Sequence, residues 1–81
     1  MSNKTVVIYT TPSCPFCRQA EKFMQERDVE YTEYDVLEDQ KRLEEMIDVS
    51  GQMGVPVLVV GGKVLLGFNS EALGKALDAL K

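Results

Sequence analysis

The chain reads as an α/β domain with the element order β-α-β-α-β-β-α, a mixed four-stranded sheet carrying three helices. Three observations lead to this. The run Thr5-Val6-Val7-Ile8-Tyr9 is followed by a proline-containing break, a helical stripe and an alternating segment, the pattern of a β-α-β unit. Val57-Leu58-Val59-Val60 and Lys63-Val64-Leu65-Leu66 flank Gly61-Gly62, a hairpin signature. Three separate stretches also repeat apolar residues at helical spacing. A β-α-β unit makes a right-handed parallel crossover, whereas a hairpin is antiparallel, so the sheet has to be mixed.

The elements follow in order. Strand 1 spans Thr5 to Tyr9, with Tyr9 assigned to the core, and Thr10-Thr11-Pro12-Ser13 breaks it. Phe16, Ala20, Phe23 and Met24 give helix 1 its stripe. Asp28-Val29 turns the chain into strand 2, Glu30 to Val36, where residues alternate. Helix 2 runs from about Asp39 to Val49 on the stripe Leu43, Met46 and Ile47. Glu38, Asp39, Glu44, Glu45 and Asp48 line its wet side, and acidic residues in its first turn suit the helix dipole. Ser50-Gly51 ends it. The unbroken apolar run Val57–Val60 indicates a strand buried on both faces. Gly67-Phe68-Asn69 forms a loop, Ser70 is a good N-cap, and Leu73, Ala76, Leu77 and Leu80 stripe helix 3. No linker, repeat or low-complexity segment interrupts residues 1–81, so a single domain is expected.

Composition narrows the function. A net charge of −4 argues against nucleic-acid binding, which needs a basic face. No segment approaches the roughly 20 apolar residues of a membrane helix. Met1-Ser2-Asn3-Lys4 leads into a strand without an apolar leader, so a cytoplasmic location is expected. There, disulfides are mostly transient and catalytic. Histidine is absent, which removes His-assisted hydrolysis, His metal ligation and His general-base chemistry.

The two cysteines lie in Cys14-Pro15-Phe16-Cys17, where strand 1 hands over to helix 1. With Cys14 at the N-cap, Pro15 falls at the first helical position, where its missing N–H costs nothing. The Phe16 and Cys17 amides and the positive helix end then favour the thiolate of Cys14 without any histidine. The thiolate is the attacking species. Cys17, one turn in on the same side, is expected to be more buried, less ionised and able to resolve a mixed disulfide. Three blander roles carry less weight. A staple closing four residues is worth roughly 2 kcal/mol in the loop-entropy model. Structural zinc wants four ligands, of which this motif supplies two. Core cysteines at this spacing would be incidental. Val55-Pro56 opens strand 3, where proline is tolerated, and nothing local demands a cis bond.

Together these segments resemble the glutaredoxins of the thioredoxin-fold superfamily over essentially the whole chain. The resemblance rests on Tyr9 through Cys17, on Ser50-Gly51 leading to Val55-Pro56, and on Gly67-Phe68 before the last helix. It implies strand order 2-1-3-4, a cis Pro56 beside the active cysteines, and a Val55 backbone that pairs with substrate as an added strand. It also implies that Cys14 and Cys17 are catalytic. Thr11, Pro15, Phe16, Val55, Pro56, Gly67, Phe68, Asn69 and Ser70 are the implied substrate contacts. Thr11 stands where glutathione-using members commonly carry lysine, and Phe68 where glycine is common. The Gly67-Phe68 run is similar to redoxins linked to ribonucleotide reductase. Phe16 replaces the tyrosine of the usual motif but keeps the ring. Arg18 and Lys22 could attract an anionic substrate and Gln52 could touch a bound peptide.

The resemblance thus implies a dithiol–disulfide oxidoreductase acting in electron transport and cell redox homeostasis. Its partners would be proteins containing disulfides, and its electron donor glutathione or thioredoxin reductase. A monomer is expected, with no bound cofactor, no metal, and glutathione a candidate co-substrate. The rival is an iron–sulfur or metal carrier built by a dimer sharing Cys14 thiolates. The monothiol iron–sulfur branch is disfavoured because Cys17 is present.

Overall fold

A computed structural model describes residues 6–79. Its elements are β1 (Val6–Thr10), α1 (Pro15–Glu26), β2 (Thr32–Asp35), α2 (Gln40–Ser50), β3 (Val57–Val60), β4 (Lys63–Leu66) and α3 (Ser70–Asp78). They form one four-stranded sheet in the order β2-β1-β3-β4. β1 pairs parallel with β2, from Val7 opposite Thr32 to Thr10 opposite Asp35. It pairs antiparallel with β3, and β3 antiparallel with β4. The mixed sheet and strand order are those expected.

Period-2 alternation splits the central strands between two cores. Val6, Ile8, Leu58 and Val60 pack with Ala20 and Met24 of α1 and Leu73, Ala76 and Leu77 of α3. Tyr9 and Val57 turn the other way, onto Met46 of α2 and Val36. This is why Val57–Val60 is apolar without interruption: each face of β3 meets a layer of helix. Ile8, Met24, Met46 and Leu58 are fully buried, and each such side chain contributes about 1.5–3 kcal/mol of transfer free energy. Tyr9 is 3% exposed, with its ring 5.7 Å from that of Tyr34. Leu80 and Thr5, assigned to helix 3 and strand 1, lie outside the described residues.

The boundaries differ from expectation in four places. β1 continues through Thr10, which the sequence assigns to the break and which instead pairs with Asp35 of β2. β2 is shorter at both ends, Thr32–Asp35 in place of Glu30 to Val36, while the expected turn at Asp28-Val29 is present: Asp28 has a φ of 58° and the Val29 amide donates to the Met24 carbonyl at 2.9 Å. α2 starts after Asp39, so acidic residues do not occupy its first turn. Asp39 instead caps the helix, accepting from the Lys41 and Arg42 amides at 3.1 and 3.3 Å. The N-cap of α3 is Asn69, not Ser70: Asn69 is extended and its Oδ1 accepts from the Glu71 and Ala72 amides at 3.0 and 3.1 Å. Ser70 becomes the first helical residue.

The β3–β4 hairpin keeps its expected bounds. Gly61 and Gly62 have φ of 57° and 90°, as a turn with both central residues left-handed requires. Among the described residues, no helix is long and apolar enough to cross a membrane.

Candidate active site

The site is built at the end of the sheet where β1 stops. Thr10, the last residue of β1, is buried, and its carbonyl still accepts the Val36 amide at 2.9 Å. The chain then turns. The Cys14 amide donates to the Thr11 carbonyl at 3.3 Å, and Cys14 takes extended angles (φ −91°, ψ 110°) as the N-cap of α1. Pro15 follows at the helix start, where no amide is required. The Cys17 amide donates to the Cys14 sulfur at 3.2 Å. Of the two amides expected to do so, Cys17 makes this bond. The Arg18 guanidinium donates to the Pro12 carbonyl at 2.8 Å and braces the turn from outside.

The two thiols are free and differ sharply in environment. Cys14 is half-buried beside the exposed Pro15 and Phe16, and the Phe16 ring is 56% exposed. Cys17 is 1% exposed. Burial pushes the Cys17 thiol up to about 12, reinforced by its hydrogen bond with the Cys14 sulfur and by the nearby Glu21 charge, while the Thr11 backbone pulls it down. Cys17 therefore holds its proton at neutral pH.

A second loop reaches the same end of the sheet. Val57 pairs with Tyr9 on one side and Leu66 on the other, which sets Pro56 level with Thr10, the last residue of β1. The Val55-Pro56 bond is cis, as the resemblance implied. Pro56 is buried and Val55 half-buried. The Pro56 carbonyl accepts the Gly67 amide at 2.9 Å, and Gly67 has a φ of 77° that favours glycine. That bond ties the cis-proline loop to the loop leading into α3.

Comparison with known proteins agrees with this geometry. The glutaredoxin family model matches residues 6–65. The chain belongs to the glutaredoxin family. A glutaredoxin-like 8.6 kDa protein of the rubredoxin operon of Clostridium pasteurianum is 33% identical over 73 residues, covering 90% of this chain and 97% of that one. The glutaredoxin of Archaeoglobus fulgidus superposes with a TM-score of 0.83 at 29% identity, covering 91% of this chain and 86% of that one. The NrdH-redoxin of Escherichia coli superposes with a TM-score of 0.77 at 21% identity, covering 88% and 92%, a likeness of fold. This glutaredoxin is thus a redox protein of thioredoxin-like fold carrying a two-cysteine motif.

The remaining implied contacts fall into two groups. Thr11 works through its backbone, as the acceptor for Cys14 and as a neighbour of the Cys17 sulfur. Phe68 is partly buried against the α1–α3 core, with its ring edge-on to Phe23 at 6.0 Å. Its ring is packing, which explains a large residue at a position often given to glycine. Asn69 and Ser70 are exposed at the start of α3. Lys22 and Gln52 are exposed, and the Gln52 amide donates to Ser50 Oγ at 3.2 Å. Among the described residues, no three His, Cys, Asp or Glu side chains gather as a metal site.

Sequence reasoning missed Glu21. Its carboxyl is pushed up to about 7, first by burial, then by its hydrogen-bond contact and like charge with Glu33, against a lowering by Arg18. The signal was its position four residues after Cys17, which places both on one helix face.

Proposed function

We propose that this glutaredoxin is a dithiol–disulfide oxidoreductase in which Cys14 attacks and Cys17 resolves. The observation that carries the reading is the contrast between the two sulfurs, one at the open helix end and one sealed beneath it. Cys14, as thiolate, attacks one sulfur of a substrate disulfide. The substrate's other sulfur leaves, takes a proton, and a mixed disulfide remains. Cys17 then attacks the Cys14 sulfur, its proton departs, and the second substrate thiol is released. The substrate gains two electrons and two protons, and the protein is left with a Cys14–Cys17 disulfide. Val55 and Pro56 would receive the substrate backbone as an added strand, with Pro15, Phe16 and Thr11 along its path.

The bridge is then reduced by glutathione or by a flavoprotein of the thioredoxin-reductase type. Three observations favour the flavoprotein, and with it a role alongside ribonucleotide reductase. Asn69 Oδ1 is turned inward as the cap of α3, accepting from the Glu71 and Ala72 amides, so two of the amides at that helix start are already spent. Thr11 brings no cation, and Phe68 is committed to the core. Partners would therefore be disulfide-containing proteins, met in the cytoplasm by a monomer.

The test is side-by-side reduction of the oxidised protein by glutathione and by thioredoxin reductase with NADPH, followed by turnover of insulin and of a glutathione mixed disulfide. Faster reduction by the flavoprotein and turnover of insulin are expected. No turnover of either substrate with both reductants present would overturn the catalytic reading.

A further inference from the structure

Glu21 sits within α1 four residues after Cys17, so the two side chains share one face of the helix, with Cβ atoms about 5–6 Å apart in such pairs. Its Oε2 is buried and has no hydrogen-bond partner. A buried carboxylate oxygen without a donor is costly, so such a group calls for an explanation. The neighbour across the gap is Glu33, whose Oε2 accepts the buried Thr10 hydroxyl at 3.2 Å. Glu33 is carried on β2 opposite Ile8 of β1. Two ionised carboxylates are acceptors only and cannot satisfy each other. One proton held between them turns the clash into an acid hydrogen bond. When both are ionised the pair has room for one proton, next to the helix face that carries the buried thiol.

We propose that Glu21, paired with Glu33, accepts the proton of the Cys17 thiol when Cys17 resolves the mixed disulfide on Cys14. This rests on the dithiol reading above. In the step, the Cys17 S–H bond breaks and its proton passes to the Glu21 carboxylate, directly or through one water. The Cys14–Cys17 bond forms as the bond between Cys14 and the substrate sulfur breaks. The substrate leaves as a thiolate and is protonated from solvent, and Glu21 later returns its proton to solvent. A thiol held near 12 is almost wholly protonated at neutral pH and needs an acceptor, and a carboxyl held near 7 is poised to be one. The groups facing Glu21 are Glu33 from β2, and Arg18 and Cys17 from its own helix; β1 contributes the Thr10 hydroxyl, which is spent on Glu33.

The test is stopped-flow mixing of the reduced protein with an aromatic nitrobenzoate disulfide. The first coloured thiolate is released when Cys14 attacks and the second when Cys17 resolves. In the native protein the second phase should accelerate with rising pH through an inflection near 7, as Glu21 loses its proton. In Glu21→Gln the ratio of second-phase to first-phase rate should fall about a hundredfold, the low end for a positioned acid–base group, and the inflection should vanish. Glu33→Gln removes the neighbouring charge, so its inflection should move to lower pH. A Glu21→Gln protein that keeps both the ratio and the inflection overturns the proposal, and so does a Glu33→Gln inflection that stays in place. If the native protein released no second thiolate at any pH, the dithiol reading itself would fail, a result distinct from a native second phase that Glu21→Gln leaves intact.

Discussion

The rim and the floor of the active turn are built from the same helix and lie one turn apart, yet their chemistry is opposed. The rim holds Cys14, Pro15 and Phe16, half-buried or exposed, with an N–H directed at the Cys14 sulfur. The floor holds Cys17 and the buried oxygen of Glu21, each with its proton affinity raised chiefly by burial. Two identical side chains thus acquire different environments from position alone. A helix terminus offers positive charge and free amides only at its first residues. One turn further in, at Cys17, the amide is spent on the Cys14 sulfur and the side chain is buried.

The largest expected effect comes from exchanging sulfur for oxygen on each side. Cys14→Ser should abolish exchange with every disulfide substrate. Cys17→Ser should lose reduction of protein disulfides while retaining exchange with glutathione mixed disulfides, which needs one thiol. Both are read by turnover assays, and swapped phenotypes would invert the rim and the floor.

A smaller effect should appear in stability. The folded carboxyl of Glu21 lies near 7, above the roughly 4.3 of an unfolded glutamate. A group raised in this way contributes stability that is fully present below the unfolded value and is lost as pH rises through the folded one. The native protein should therefore lose stability between about pH 4 and pH 7, and Glu21→Gln should remove that part of the slope. Glu21 is only partly buried, so after solvent screening the difference should be about 1 kcal/mol or less. Urea midpoints across that pH range would measure it. An identical slope in the variant would show that the Glu21–Glu33 contact is relaxed in solution.

The rim was more legible in the sequence than the floor, and the reason is range. Cys14 at the N-cap and Pro15 after it follow from local rules over a few residues. So does the β3–β4 hairpin, because two adjacent glycines with positive φ leave little choice of turn. Where two good candidates adjoin, local rules do not decide. Asn69 and Ser70 both cap helices well, and Asn69 won because its side chain reaches the two free amides. Asp39 was read as a first-turn charge and serves as the cap. Glu21 was missed for another reason. A glutamate between Ala20 and Lys22 reads as a helix surface, and its burial arises only when β2 brings Glu33 up beside it. Phe68 likewise gained its role from Phe23, which is 45 residues earlier in the chain. The cis bond before Pro56 had no local cause and was implied by the family resemblance alone.

The contrast between the two sulfurs is tested most directly by alkylating the reduced native protein with a small haloacetamide across pH 6 to 10, about the span between an activated and an unperturbed thiol, and locating the label by peptide mapping. The account predicts label on Cys14 throughout, with Cys17 unmodified under native conditions and labelled only after unfolding. Label appearing on Cys17 at a rate comparable to Cys14 would contradict it.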